Sequence, residues 1–299
     1  MAFFEEPREA AGRSSVSVAI GPLGIDLEGL DEARAEALLA RFGPFARAGA
    51  SGKTDSLRLS LRLDRRDWFL EPPSRAEPSR LLLAFEDGRV RLCGYTFAGW
   101  FDGTRGGRGE IVLARGGYEP DSRAIENYLR AAVAWQAAGR GGALVHSASA
   151  AWRGQGFLFY GPSGAGKSTL ARSNRRGTVL SDDLSLVLPD EDGGLLLFGT
   201  PFRGTFQEGP YVVGSFPLAA GFRLVQAPRA EVRTVPRAVA LAELVASLPF
   251  VAEAAGKSSG LLERIEKAFA GVFLARLLFR PDDTFWDAIE GALPVPEAR

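Results

Sequence analysis

Leu57-Arg58-Leu59-Ser60-Leu61-Arg62-Leu63 alternates apolar and polar residues at every step. A period of two puts the leucines on one face of a strand and the polar residues on the other, the pattern of an antiparallel sheet with one wet face. Ser15 to Ile20 alternates in the same way. Leu81 to Phe85 and Val90 to Tyr95 flank a turn at Asp87-Gly88 and predict a hairpin, and Ile111 to Leu113 predicts a further strand after the glycine-rich stretch Asp102 to Gly109. Between these, Asp31 to Arg41 carries Ala and Leu at helical spacing. Residues 1–120 therefore read as an α+β domain with a mainly antiparallel sheet, and they carry no catalytic constellation. Trp68, Trp100 and Phe101 are read there as packing residues. The domain is a candidate for substrate recognition.

The pattern changes near 115 to 122. Pro120-Asp121-Ser122 can start a helix, and Ile125 to Ala138 is apolar on one face. Ala143-Leu144-Val145-His146 predicts a short strand, followed by Ala148 to Trp152, a turn at Arg153-Gly154, and the apolar run Gly156 to Tyr160. Helical spacing recurs at Ala238 to Ala246 and Leu261 to Phe269. Phe273 to Phe279 alternates as a strand, and Asp282-Asp283-Thr284 caps a last helix through Glu290. Glu253 to Gly260, rich in small residues, reads as a linker. A second domain, 121–299, follows.

The run Gly156 to Tyr160 feeds Gly161-Pro162-Ser163-Gly164-Ala165-Gly166-Lys167-Ser168-Thr169, a full G-x-x-x-x-G-K-[ST] phosphate loop between a strand and a helix. Glycines at 161, 164 and 166 let the backbone curl until successive N–H groups, with those of Ser163, Ala165 and Thr169, face phosphate oxygens. Lys167 would neutralise the β and γ phosphates of ATP, and Ser168 would offer a hydroxyl to Mg²⁺. Two shorter Gly-Lys stretches fail the same test. Arg47 and Val251 stand where the loops ending at Lys53 and Lys257 would need their first glycine.

A short helix must follow the loop, because Gly177 ends it. Thr178-Val179-Leu180-Ser181 then delivers Asp182 and Asp183 at a strand end. Adjacent residues of a strand point to opposite sides, so one carboxylate can face Mg²⁺ while the other faces a phosphoryl acceptor.

Composition narrows the partners. Lys plus Arg and Asp plus Glu are both 36, so no basic field favours nucleic acid or an anionic membrane. The single cysteine, Cys93, excludes an internal disulfide and reads as a small buried hydrophobe. No basic leader with an apolar core and no apolar run of membrane-spanning length is present, which predicts a cytoplasmic protein. Lysine is confined to positions 53, 167, 257 and 267 against many arginines, so an isolated arginine identifies little.

Val145-His146, the loop Gly161 to Thr169 and Ser181-Asp182-Asp183 together resemble the bacterial HPr serine kinase/phosphorylase family, whose catalytic domain is also similar to phosphoenolpyruvate carboxykinase. The resemblance covers about 140–185. It implies an α/β fold with a mixed sheet in a C-terminal phosphate-loop kinase domain. It also implies that His146, the only histidine, belongs to the site and orients Asp182, that Asp182 is the general base, and that Ser168 and Asp183 hold Mg²⁺. The implied reaction is transfer of the γ-phosphoryl group of ATP to a serine of a protein or peptide. The family's own Glu-Ile-Arg-Gly-Leu-Gly-type stretch is absent downstream. Arg203, in Thr200-Pro201-Phe202-Arg203-Gly204, is the candidate there for grounding the transferred phosphate. The segments Phe216 to Gln226 and Asp283 to Ile289 resemble HPr-kinase-related proteins encoded beside peptide-modification enzymes.

Two other readings stay open, a motor or regulatory ATPase and a kinase of a small-molecule hydroxyl. The chain has no Leu-Ser-Gly-Gly-Gln stretch, which counts against a transporter motor, and no Asn-Lys-x-Asp, which counts against a GTPase. Donor preference, the reverse phosphorylase reaction and homo-oligomer formation are left open.

Overall fold

The computed structural model describes residues 9–73, 81–86, 88–206, 209–250 and 261–293. The linker expected over Glu253 to Gly260 and the turn residue Asp87 lie outside them. The chain is α/β, mostly strands, with one mixed sheet in each of two compact units. Described residues up to Gly139 form the first unit and those from Arg140 the second.

The first unit contains β1 (Glu9–Ala10), β2 (Ser14–Ile20), β3 (Leu23–Leu30), α1 (Glu32–Phe42), β4 (Ala46–Ala48), β5 (Leu57–Leu63), β6 (Leu82–Glu86), β7 (Arg89–Cys93), β8 (Phe97–Asp102), β9 (Arg108–Leu113) and α2 (Asp121–Gly139). Its sheet runs β4-β2-β3-β5-β9-β8-β7-β6, with β1 also on β5. Helix α1 starts where expected because Asp31 caps it, accepting from Arg34 N at 2.8 Å, and it buries Ala35, Leu38 and Phe42. The alternating strand β5 does bury Leu57, Leu59 and Leu61. It lies parallel to both β3 and β9, however, whereas its pattern predicts antiparallel neighbours.

Strand β3 carries no strand signal because its sequence holds glycines and an aspartate. Gly24 sits where an added Cβ would come within 2.4 Å of Ser56 Oγ. Buried Asp26 accepts from Ser51 N at 2.7 Å and Ser51 Oγ at 2.8 Å, so a polar residue is satisfied inside the sheet.

The division after Gly139 differs from a boundary at 120–121, and α2 is the reason. Its Glu126 is ion-paired to Arg41 and Arg130, its Tyr128 hydroxyl donates to Trp100 O at 2.7 Å, and its Trp135 ring stacks on Phe85 at 4.9 Å. A helix whose apolar face packs on the first sheet and whose buried acid pairs with α1 folds with the first unit. Phe101 is buried against Tyr128, Trp100 lies under the Arg89 guanidinium, and Trp68 is half exposed.

The second unit contains β10 (Ala143–Trp152), β11 (Gln155–Tyr160), α3 (Lys167–Ser173), β12 (Thr178–Ser181), β13 (Leu184–Pro189), β14 (Leu195–Phe198), β15 (Ser215–Gln226), β16 (Glu231–Arg233), α4 (Arg237–Val245), α5 (Leu261–Ala268), β17 (Phe273–Phe279) and α6 (Phe285–Ala292). The segments on either side of His146 form one ten-residue strand, β10, which turns into β11 through Arg153 and Gly154, both at positive φ. Strand β11 lies between antiparallel β10 and parallel β15, and β17 continues the parallel run. One face of these strands packs Phe157, Phe159, Phe222 and Phe279 against Phe285 and Trp286 of α6. The other carries α4, tied down by Glu243 to Arg223 of β15 and Arg276 of β17. Among the described residues no helix is long and apolar enough to cross a membrane.

Candidate functional site

Strand β11 ends at Tyr160, and the chain curls through Gly161, Gly164 and Gly166 at φ of 150°, 78° and 103° before α3 starts at Lys167. Only glycine adopts such angles without strain, and at Gly166 the space is closed as well: an added Cβ would lie 2.5 Å from Phe279 Cζ. Phe279, at the end of β17, thus supports the loop from below. On the loop's outer side Gln226, at the end of β15, donates from Nε2 to Gly164 O at 2.8 Å. Ala165 N donates to Pro162 O at 3.1 Å. The Lys167 ammonium, with the residue only 8 % exposed, donates to Gly161 O at 2.9 Å and Pro162 O at 3.2 Å. Burial lowers its pKa, opposed by the nearby charge of Asp183. The lysine is held inside the curl by the loop's own carbonyls, the place an anion on that curl would meet it.

Strand β12 delivers the two aspartates, and they meet different partners. Asp182 is 4 % exposed. Its Oδ1 accepts from Gly204 N at 2.8 Å and its Oδ2 from Phe206 N at 2.8 Å, and the Ser168 hydroxyl lies 3.4 Å from Oδ2. Asp183 is more open, its side chain 19 % exposed, with His146 Nε2 3.5 Å from its Oδ1. The imidazole is itself 46 % exposed, and its strand is anchored by His146 N donating to Ser247 O at 2.7 Å. Ser147 N donates to Asp183 O at 3.0 Å. Ser168, Lys167, both aspartates and His146 are therefore gathered at one end of the sheet. The pairings are the reverse of those the resemblance implies: the serine goes with Asp182 and the histidine with Asp183. The physical reason is the loop after Thr200. Gly204 and Phe206 present their N–H groups to Asp182 and turn it toward α3, and the next carboxylate on the strand then points the other way.

Among the described residues the Arg203 guanidinium lies over the Tyr211 ring at 3.7 Å and donates to Gly209 O. What holds the loop is Arg172 of α3, which donates to Thr205 O at 2.9 Å and Thr205 Oγ1 at 3.2 Å. Gly204, Phe206, Arg172 and Gln226 all act through backbone atoms or as ordinary polar residues, so no motif marks them. Among the described residues no cluster of three or more His, Cys, Asp or Glu could hold a metal on protein ligands alone. The hydroxyl of Ser168 and the carboxylate of Asp182 nevertheless stand side by side as hard oxygen donors of the type that could hold Mg²⁺.

The family described as SynChlorMet cassette protein ScmC matches residues 125–268, a span that takes in His146, the whole glycine loop and both aspartates. No curated protein matches the chain.

Proposed function

We propose that the chain is an ATP-dependent kinase of the HPr kinase/phosphorylase-like kind, which transfers the γ-phosphoryl group to a hydroxyl, with a serine of a protein or peptide as acceptor. The observation that carries this reading is the division of labour between the two adjacent aspartates. One is buried beside the phosphate-loop serine and the other is partly exposed beside a histidine. A site that only senses nucleotide has no use for the second pair, whereas one that activates a nucleophile does, and a transfer assay separates a hydroxyl acceptor from water.

In this reading the loop amides and Lys167 bind the β and γ phosphates, and Ser168 with Asp182 holds Mg²⁺. The ion, when bound, neutralises charge on the phosphates. The acceptor oxygen attacks the γ phosphorus, the bond to the β–γ bridging oxygen breaks, and ADP leaves. The hydroxyl proton passes to Asp183, and His146 orients that carboxylate. Lys167 stabilises the charge that builds on the transferred group, so catalysis is mainly positioning and electrostatics.

The test is incubation of the protein with labelled ATP, Mg²⁺ and host lysate beside Lys167→Ala. Label on a macromolecule or small hydroxyl compound with the wild type, and none with the variant, supports the kinase. Rapid release of free phosphate with no acceptor labelled would instead make the protein an ATPase.

A further inference from the structure

A cleft of about 610 Å³ opens beside the first residues of the glycine loop, between Gly161-Pro162 and helix α4. Its lining touches both halves of the site. Pro162 O and Gly161 O hold the Lys167 ammonium, and Ser247, also in the lining, takes the His146 N–H on its carbonyl. A molecule lying in the cleft therefore borders the phosphate loop and the residue that anchors the strand of His146.

The wall from α4 is apolar and made of small side chains, Ala238, Val239, Ala242 and Ala246. Glu243 of the same helix and Arg223 of β15 bring charge to the lining. Arg276 clamps Glu243 through Nε and Nη2, at 3.1 and 2.6 Å to Oε1 and 3.3 Å from Nε to Oε2. Arg223, which lines the cleft, lies with Nε 3.4 Å from the same carboxylate, and its guanidinium makes no side-chain hydrogen bond among the described residues. One carboxylate thus stands between two guanidiniums, and the surplus positive charge belongs to Arg223. Arg223 is in register with Tyr160 across the β11–β15 pairing, and the buried Tyr160 hydroxyl has no hydrogen-bond partner. Of the lining residues, Arg223 carries donors that Glu243 does not fully occupy, so a ligand bearing acceptors suits this cleft.

The geometry points to this cleft as the acceptor site of the kinase, taking a hydroxyl compound that carries a carboxylate, with the carboxylate on Arg223 and the aliphatic part against α4. The inference rests on the kinase reading above. A guanidinium presents a planar fork to a carboxylate, and a small-residue helix face admits a chain or a compact molecule but offers it no polar grip. A free hydroxy acid and an acidic residue next to a serine in a peptide bring the same chemistry.

Two matched pairs of probes test it with labelled ATP and Mg²⁺: N-acetylserine against N-acetylserine amide, and a short blocked peptide containing Ser-Glu against the same peptide containing Ser-Gln. With the wild type, the carboxylate-bearing member of one pair is expected to be the better acceptor, and the pair that shows it identifies the source. Arg223→Gln is expected to raise KM for that member about tenfold to a hundredfold, leaving KM for ATP in place. Arg223→Lys, which keeps the charge and loses the fork, is expected to recover part of the loss. Equal transfer to both members of both pairs, or label on lysate proteins with no probe accepted, overturns the cleft assignment and leaves the kinase standing. A rise in KM for ATP equal to that for the acceptor places the nucleotide there and also overturns it. Transfer to no hydroxyl in probes or lysate removes the kinase reading and this one with it.

Discussion

The Ser168 hydroxyl lies 3.4 Å from Asp182 Oδ2, and Asp182 takes backbone N–H groups from Gly204 and Phe206 on its two oxygens. A carboxylate so held and so buried is poorly placed to swing toward an incoming hydroxyl or to pick up its proton. Asp183, one residue on, has the exposure and the histidine that such a task requires.

The two Asp→Asn variants should therefore differ in kind. Asp183→Asn is expected to fold normally and keep its nucleotide affinity while kcat for phosphoryl transfer falls about 10²- to 10⁴-fold. Asp182→Asn turns an amide toward two backbone donors, and is expected to lower the melting temperature and weaken Mg·ATP binding. Calorimetric titration with Mg·ATP beside a transfer assay separates them. Near-normal transfer by Asp183→Asn, with loss confined to Asp182→Asn, would return the base to Asp182.

Gly204 is the tight point of the loop that fixes Asp182. A Cβ there would lie 2.9 Å from Asp182 Oδ2 and 3.4 Å from Asp183 Cβ. Gly204→Ala must move either the loop or the carboxylate, and loss of one hydrogen bond to a charged acceptor costs about 1.5–3 kcal/mol. Affinity for Mg·ATP is expected to fall roughly 10- to 100-fold, with metal-free nucleotide binding much less affected. Binding measured with and without Mg²⁺ checks this, and an equal loss in both would place the damage in the glycine loop instead.

The sequence made the glycine loop, the short helix, the aspartate pair and most strands legible, because each rests on local spacing: glycines where φ is positive, leucines at a period of two, Asp31 before its helix. What it hid was non-local. The alternation of Leu57 to Leu63 says which side chains are buried but not that β3 and β9 run parallel to them. Asp182 and Asp183 are identical as residue types, and only the backbone donors of Gly204 and Phe206, more than twenty positions on, sort them. Arg223 is one arginine among many in the sequence, and only the three-dimensional pairing of Arg276 with Glu243 sets it apart.

Cys93 offers a reporter for the first unit. It is fully buried beside Phe69, Ala98 and Val112, and burial pushes its thiol from 9.0 up to about 11. Because the thiolate is the reactive form, maleimide labelling at pH 8 should be slow and should speed up with denaturant in step with loss of the first sheet. The raised pKa also means that the unfolded chain releases its proton first, so stability should be lost as pH rises from about 9 to about 11. Rapid labelling of the native protein would contradict the burial.

Lys167 gives the opposite slope. Burial lowers its pKa below 10.5, so the folded state pays to keep the ammonium charged, and the unfolded chain holds that proton more tightly. That cost is fully present below the folded pKa and is relieved as pH rises from there to 10.5. Lys167→Met removes it and should flatten this part of the stability curve while abolishing tight nucleotide binding. Phosphate oxygens beside the ammonium favour its charged form, so nucleotide binding should raise the pKa again. Binding measured above the folded pKa is then expected to take up a proton, and affinity to weaken as pH climbs. Calorimetry in two buffers of different ionisation enthalpy reads the proton count directly. No uptake on the alkaline side, with affinity unchanged, would mean that Lys167 stays on the carbonyls of Gly161 and Pro162 and does not meet the phosphates.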